Sequence, residues 1–383
     1  MKILYLAHSQ IPSSSANSIQ VMHMCQAFEH EHRVTLLARN APGGSLCVSD
    51  IFDYYGIARP FRIVFPQRWR LKAISSLAGY MLVLKMLVLE KPEICFGRHL
   101  KSLALAVRMG VPVIYEAHEV PRSRTEKVLI RQIYASRSFA GMVFISSMLQ
   151  NHYQEIFHDL PQEKVMVAHD GIDLDRVSRV EPYAGSALAG SPDGFKAGYV
   201  GGLKPEKGIG LILCIAGMMP QTEFHLVGGS HKELQFWRSQ AAGMDNIFFY
   251  GQVNPGDAVR YQKSFDVLLA PYQQASWGSK NGCLAAVRDE TRVIGNSPLK
   301  FFEYMACEKP VLTSDIPIAR EIFTHQGDAF LLNPDNPREW VSCISALQNE
   351  PGLASGLSAN ARKKALKYTW EQRADNIIRH LCG

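Results

Sequence analysis

The 383 residues predict an α/β protein of two doubly wound domains in tandem, each a parallel sheet with helices on its faces. Short apolar runs alternate with helix-length stretches, and the alternation pauses at 181–196, EPYAGSALAGSPDGFK, before a second set begins. That stretch is rich in Gly, Ser, Pro and Ala, as an interdomain connection is. The chain is also longer than one hydrophobic core ordinarily fills.

In the first half, residues 3–7 predict a strand, 8–17 a polar loop, 18–28 a helix and 33–38 a second strand, with further strands at 94–96, 113–115, 142–145 and 165–167. In the second half, strands are predicted at 197–200, 223–227, 247–250, 267–269 and 311–313. Such sheets bind ligands beyond the carboxyl ends of their strands, and two of them in tandem place a cleft between the domains. The loops at 8–17, 97–99, 116–124 and 201–208 are therefore the places to look for function.

Composition narrows the class. With 47% hydrophobic and 20% charged residues, the chain reads as a soluble globular protein. Residues 2–7 are too few for a signal-peptide core and run into His8, Ser9 and Gln10, so a mature cytoplasmic chain is expected. The most apolar stretch, 80–89, is interrupted by Lys85 and does not suit a bilayer span. The eight cysteines include no C-x-x-C pair, which argues against both a zinc site and a disulfide framework.

The net charge of +6 is uneven: residues 1–180 hold 21 Lys and Arg against 15 Asp and Glu, and the remainder holds 20 of each. The first half should face something anionic. Arg59, Arg62, Arg68, Arg70 and Lys72, with Phe65 and Trp69 among them, precede the apolar 77–89 segment. This pattern suits peripheral contact with the inner face of a membrane, or a helix packed on the sheet. No nucleic-acid-binding motif accompanies the basic residues.

Residues 297–317, SPLKFFEYMACEKPVLTSDIP, predict a short helix with Ser297 as N-cap, Pro298 at the first helical position and Pro310 as the stop. Lys300 then falls at the third position, where a capping box would carry Glu or Gln. A cation at the positive end of a helix dipole is unfavourable unless an anion sits in front of it. Glu303, one turn on, shares that face with Leu299 and Lys300 near the helix start. The other strand-to-helix turn, GYVGGLKPEKGIGLIL (198–213), has Gly201 and Gly202 for close backbone approach and Lys207 for a phosphate. It matches neither the dinucleotide fingerprint nor the P-loop. Two lysines on separate strand-to-helix loops of one domain can converge on one diphosphate.

These elements and their order resemble retaining nucleotide-sugar glycosyltransferase family 4, which has the GT-B fold. Matching stretches in order are IPSSSANSIQVMHMCQAF, YEAHEVPRSRTEK, FISSML, VAHDGID, YVGGLKPEKG, FYGQVNPGDAVRYQKSFDVLLAPY, SPLKFFEYMACEKPV and YTWEQRA. The resemblance implies a first domain, 1–180 plus 369–383, that binds the acceptor, and a second, 181–368, that binds the nucleotide sugar. It implies that Lys207 and Lys300 contact the donor diphosphate, that Glu303 binds the ribose and that the backbone from Gly251 to Val253 holds the base. His118 matches the family's histidine beside the transferred sugar. Acceptor contacts are expected from the 13–15 serine loop with Ser15, from Asn17, and from Arg122 and Arg124.

The sequence departs from the family pattern in two places: Gly202 stands where many members have Arg, and Gly295 where many have a glutamate that contacts the donor sugar. The second departure leaves the sugar undecided. Asp173-Leu174-Asp175 spells D-x-D, but it lies in the approach to the linker, where carboxylates usually solvate or cap. Neither metal nor other cofactor is expected, with lysines and helix dipoles taking the role of Mg²⁺.

The expected activity is transfer of a hexose or N-acetylhexosamine from a nucleoside diphosphate sugar, UDP favoured over GDP, to an acceptor hydroxyl with retention. A glycan, lipid-linked or small-molecule acceptor in cell-surface glycan or glycolipid assembly fits this reading. A nucleotide-sugar epimerase of related fold and a non-catalytic GT-B binding subunit are the alternatives.

Overall fold

The computed structural model describes residues 1–41, 47–66, 72–184, 187–273, 275–280, 283–288 and 298–382, with backbone alone at 72–77, 275–280 and 283–288. Two compact units emerge: Met1–Gly171 with Trp370–Gly383, and Ile172–Val293 with Pro298–Thr369. The first unit thus ends before the glycine-rich 181–196 stretch. Ile172 and Val177 pack into the core of the second unit, and the Ile172 N–H donates to the Tyr368 carbonyl at 2.8 Å.

In the first unit the strands are β1 (Lys2–Ile11), β2 (Arg33–Asn40), β3 (Arg62–Val64), β4 (Ile94–Gly97), β5 (Val113–Ala117), β6 (Phe139–Phe144) and β7 (Val165–Val167). They form a parallel sheet in the order β3-β2-β1-β4-β5-β6-β7. The order reverses between β1 and β4, which makes that point the natural crevice for a ligand. β1 is longer than its apolar run predicts: it passes through an irregularity between Leu6 and Gln10 and resumes pairing with β2 at Gln10 and Ile11. The first four residues of the predicted polar loop, 8–11, therefore belong to the strand. The following helix, Ala16–Glu29, starts two residues earlier than predicted, with Ser15 as its N-cap.

The second unit contains β8 (Lys196–Val200), β9 (Glu223–Val227), β10 (Ile247–Gly251), β11 (Val267–Ala270), β12 (Ala275–Lys280), β13 (Cys283–Arg288), β14 (Val311–Ser314) and β15 (Phe330–Leu332). Six of them make a parallel sheet, β10-β9-β8-β11-β14-β15, and β12 and β13 pair separately as an antiparallel hairpin. The switch point lies between β8 and β11. Of the elements not predicted, β3 and β15 are only three residues long, too short for an alternation to show.

Each unit has its own core. In the first, Tyr5 and Phe28 pack on Phe96 at 5.1 and 5.0 Å between ring centroids. In the second, the buried Tyr304 hydroxyl accepts from the Val200 N–H at 3.0 Å, tying the Leu299–Ala306 helix to the end of β8. The final helix, Trp370–Cys382, belongs to the first unit, where the Trp370 indole stacks on His23. Among the described residues no helix is long and apolar enough to cross a membrane.

Candidate active site

The second domain builds its site where strand order reverses. Beyond β8 the chain turns through Gly201 (φ 150°) and Gly202 into a short 3-10 turn, Pro205–Lys207, then through Gly208 (φ 78°) into the Ile209–Met218 helix. A Cβ on Gly208 would collide with the Pro271 carbonyl oxygen just beyond β11, so glycine lets these loops press together. Lys207 therefore precedes the α-helix instead of opening it.

The ammonium of Lys207 lies 4.7 Å from the ring centroid of Tyr272, and that of Lys300 lies 5.4 Å from the same ring. Lys300 also sits 3.8 Å from the ring centroid of Tyr199, and it approaches the Gly201 backbone closely enough that a Cβ there would crowd its Nζ. The two lysines that sequence placed on separate loops thus face one aromatic ring.

The helix that carries Lys300 differs from the predicted one at its start. Pro298 is the N-cap, with no side-chain cap, and Leu299 is the first helical residue, so Lys300 is the second. Ser297, the predicted cap, lies outside the described residues, as do Gly295, Arg68, Trp69 and Arg70. The proline at the cap cannot accept from the following amides, and its carbonyl instead takes the Phe301 N–H at 2.9 Å.

Lys300 Nζ is buried and has no hydrogen-bond partner among the described residues. Burial, followed by the charge of Lys207, pulls the Lys300 ammonium well below the usual lysine range, against the pull of Glu303. Lys207 is lowered too, by burial above all. Two desolvated cations, neither in an ion pair among the described residues, at an uncapped helix start, form a site that an anion would complete.

Glu303 is half-buried one turn along. Its Oε2 accepts from Nε2 of the fully buried Gln262 at 2.9 Å, and Gln262 Oε1 in turn accepts from the Cys307 thiol. Arg176, on the Leu174–Arg179 helix, exerts its charge on Glu303 and keeps a buried Nη2 without a hydrogen bond. Asp173 of the D-x-D sequence accepts from the Arg176 N–H at 2.8 Å and so caps this helix.

Gly251 (φ 78°) ends β10, and its carbonyl accepts from the Gly228 N–H at 2.6 Å, while a Cβ on Gly228 would strike the Gly201 carbonyl. These contacts bring three strand ends together. Val253 is partly buried on the core, Leu299 is buried, and Gly202 is exposed with open space where a side chain would go. The Gly202 carbonyl accepts from the Tyr199 hydroxyl at 2.7 Å.

In the first domain, Glu116 near the end of β5 is fully buried among cations. Its Oε2 accepts from the Tyr5 hydroxyl (3.1 Å) and Arg98 Nη2 (3.1 Å), and lies 2.9 Å from His118 Nε2. Its Oε1 accepts from Gln20 Nε2 (2.9 Å) and pairs with Arg373 Nη2 (2.9 Å). Burial opposes ionisation of Glu116, but Arg373, His118 and Arg98 outweigh it and hold the carboxyl well below the usual range. His118 is lowered by burial and then by Arg98, which keeps the imidazole neutral near pH 7. Its Nε2 lies beside Glu116 without meeting hydrogen-bond geometry among the described residues.

Ser15 spends its hydroxyl on the cap of the Ala16–Glu29 helix, accepting from the Ser18 N–H, and exposed Asn17 accepts from the Ser9 hydroxyl. Arg122 and Arg124 are exposed at the start of the Arg124–Tyr134 helix, where Ser123 and Glu126 form a capping box and Arg122 lies 3.9 Å from Glu119. No hydrogen bond or ion pair among the described residues joins the Ser15 and Asn17 pair to the arginines. No group of three or more His, Cys, Asp or Glu among the described residues is arranged to hold a metal ion.

Sequence reasoning did not single out Tyr199, Tyr272, Gln262, Arg176, Glu116, Arg98 or Arg373. Tyr199 and Tyr272 bracket the ends of two predicted strands, β8 and β11, and that position was the available signal. Arg373 gave none, since its partners are remote in the chain.

The glycosyl transferases group 1 model matches residues 189–364 and the glycosyltransferase family 4 model matches 18–176. The chain is thus a glycosyltransferase with the two parallel-sheet domains of the GT-B class. Within that class it belongs to the family 4 type.

Its curated relatives are distant. The putative teichuronic acid biosynthesis glycosyltransferase TuaH of Bacillus subtilis is 24% identical over 156 residues, 41% of this chain and 36% of TuaH. The D-inositol 3-phosphate glycosyltransferase of Jonesia denitrificans is 19% identical over 305 residues, 71% of this chain and 66% of that protein. The chain thus spans about one third and two thirds of these relatives. Anabaena HepE in complex with UDP superposes with a TM-score of 0.72 at 18% identity over the whole of both chains. WaaG, a glycosyltransferase involved in lipopolysaccharide biosynthesis, gives 0.68 at 13% identity over the whole of both.

Two predictions follow from the geometry. Because the folded-state pKa of Lys300 is depressed, the unfolded chain binds more protons between that value and about 10.5. Ligand-free stability should therefore rise with pH across that window. Lys300→Met should flatten the rise and stabilise the ligand-free protein near neutrality; urea titrations at several pH values measure both. Arg373→Met leaves the buried Glu116 carboxylate short of a partner and should cost about 3–5 kcal/mol, read from chemical denaturation followed by a probe in the first domain.

Proposed function

We propose that this glycosyltransferase transfers a hexose or N-acetylhexosamine from a nucleoside diphosphate sugar, UDP favoured over GDP, to an acceptor hydroxyl with retention and without a metal ion. The observation that carries the reading is the buried, uncompensated Lys300 ammonium facing Lys207 across Tyr272. Negative charge builds on the diphosphate as the sugar departs, and preorganised donors in a desolvated site stabilise that charge without reorganising. Lys207, Lys300 and the start of the Leu299–Ala306 helix are assigned to the diphosphate, and Glu303, held by Gln262, to the ribose. The joined glycine turns at 201, 228 and 251 lie close enough for a base to approach the backbone from Gly251 to Val253.

HepE, with structures in complex with UDP and with UDP-glucose, supports a uridine donor. The first domain is assigned to the acceptor. Neutral His118, beside Glu116, is assigned to the transferred sugar. The names of TuaH and WaaG support a place in cell-surface glycan or glycolipid assembly.

Lys207→Ala and Lys300→Ala should each lower kcat by about 10²–10³ while leaving the fold intact by circular dichroism. In a thermal-shift panel of UDP, GDP and ADP with their sugars, UDP and its sugars should stabilise most, by about 2.7 kcal/mol at one hundred times Kd. The product's anomeric configuration, read by NMR, should match the donor's. Near-normal turnover in both variants, or an inverted product, would overturn this assignment.

A peripheral membrane role has separate support. On the Lys72–Glu90 helix, Met81, Val88 and Leu89 are 58%, 55% and 64% exposed and share a helical face with exposed Lys85. Co-sedimentation with anionic liposomes at low salt should detect binding that Met81→Ser/Leu89→Ser weakens and that neutral liposomes do not reproduce.

A further inference from the structure

Gln262 is a polar side chain where the helix pattern asks for an apolar one. It lies on the Pro255–Ser264 helix, whose buried face also carries Val259, packed into the core of the second unit. The side chain is 0% exposed, and burying a primary amide costs free energy unless its two ends are hydrogen-bonded. Here both ends are. Nε2 donates to Oε2 of Glu303 at 2.9 Å, and Oε1 accepts from Sγ of Cys307 at 3.4 Å.

Glu303 and Cys307 stand one turn apart, Cys307 being the C-cap of the Leu299–Ala306 helix. One amide therefore clasps both. Its orientation follows from chemistry: a carboxylate only accepts, so it must meet the NH2 end, and that turns the amide oxygen to the thiol. Burial, followed by the charge of Glu303, holds the Cys307 thiol well above its usual range, so it keeps the proton it donates. The thiol fixes the amide, and the amide fixes the carboxylate.

The backbone under Glu303 is already held, because the hydroxyl of neighbouring Tyr304 bonds to the end of β8. What Gln262 removes is the rotamer freedom of the glutamate itself, freedom that a ligand would otherwise have to quench. It does so with a neutral donor. A lysine or arginine at 262 would pair with the charge of Glu303. Among the described residues no other hydrogen bond reaches this carboxylate, so Oε1 is left to accept.

We propose that Gln262 and Cys307 are positioning residues that hold Glu303 in the pose that receives the ribose hydroxyls of the donor, and that this relay sets a preference for ribonucleotides over deoxyribonucleotides. The inference rests on the assignment of Glu303 to the ribose made above. A fixed carboxylate plane presents Oε1 and the second lone pair of Oε2 to two vicinal hydroxyls at once.

Isothermal titration calorimetry on the full chain compares UDP with 2′-deoxy-UDP and 3′-deoxy-UDP. UDP should bind about tenfold or more tighter than each analogue, as loss of a hydrogen bond to a charged group implies, and Glu303→Ala should remove that preference. Gln262→Met and the nearly isosteric Gln262→Glu should each reduce it about fivefold or more, with no further change when combined with Glu303→Ala. Gln262→Glu keeps the side chain's shape, so the test stands if Gln262→Met does not fold. Cys307→Ser, which retains a donor, should preserve the preference, and Cys307→Val should reduce it about twofold or more.

A merely structural role would weaken UDP and both analogues in parallel and leave their ratio alone. That result in the Gln262 variants, with the preference lost in Glu303→Ala, would overturn the inference by itself. Equal ratios in Cys307→Ser and Cys307→Val would remove the thiol from the relay. If Glu303→Ala keeps the preference, the ribose assignment fails and takes the inference with it.

Discussion

A lysine ammonium held out of water without a counter-ion organises the second domain. Lys300 has no hydrogen-bond partner among the described residues, and Lys207 adds like-charge repulsion. The charge of Glu303 and the faces of Tyr199 and Tyr272 offset part of this, and a cation on an aromatic face recovers about 0.5–2 kcal/mol. The surrounding structure must hold the ammonium in place. Tyr304 bonds the Lys300 helix to the end of β8, Gly208 lets the Lys207 turn reach the Pro271 carbonyl, and Phe301 packs edge-on to Tyr272 at 5.7 Å. The cost of this arrangement in the ligand-free protein is what a bound anion would offset.

The first domain solves the converse problem. Glu116 is a buried anion, and it is surrounded by Tyr5, Gln20, Arg98, His118 and Arg373, so its burial is compensated. Compensation fixes geometry: the carboxylate holds Arg98 and Arg373, and Arg373 brings the final helix into the same network through the carbonyls of Ala168 and His169. A charged hub of this kind is weak evidence for net stability but strong evidence for a defined arrangement. One domain leaves a buried charge without a hydrogen bond among the described residues, and the other surrounds a buried charge with partners.

The alternation of apolar runs located eleven of the strands, because a buried parallel strand reads as a continuous apolar run. It missed β3 and β15, which are too short, and the β12–β13 hairpin, and it ended β1 early because His8 to Gln10 are polar by sequence and the strand passes through an irregularity there before pairing again at Gln10. That Lys207 and Lys300 lie near each other was legible because both sit on strand-to-helix connections at the carboxyl ends of one sheet. The helix start was misplaced by one residue, since Pro298 can serve as first residue or as cap and sequence does not distinguish them. Gln262 and Arg176 were invisible: each lies on a helix whose pattern is satisfied without reference to Glu303.

By itself the sequence determined two doubly wound domains and the resemblance to family 4, because periodicity and motif chemistry are local properties of the chain. Tertiary structure alone decided which charges meet and which are compensated. Tyr5 and Glu116 are 111 residues apart in the chain. Lys207 and Lys300 share Tyr272 only because β8 and β11 are neighbours in the sheet. Desolvation and Coulomb interaction depend on distance in space and on exclusion of water, and neither is written in the spacing of residues.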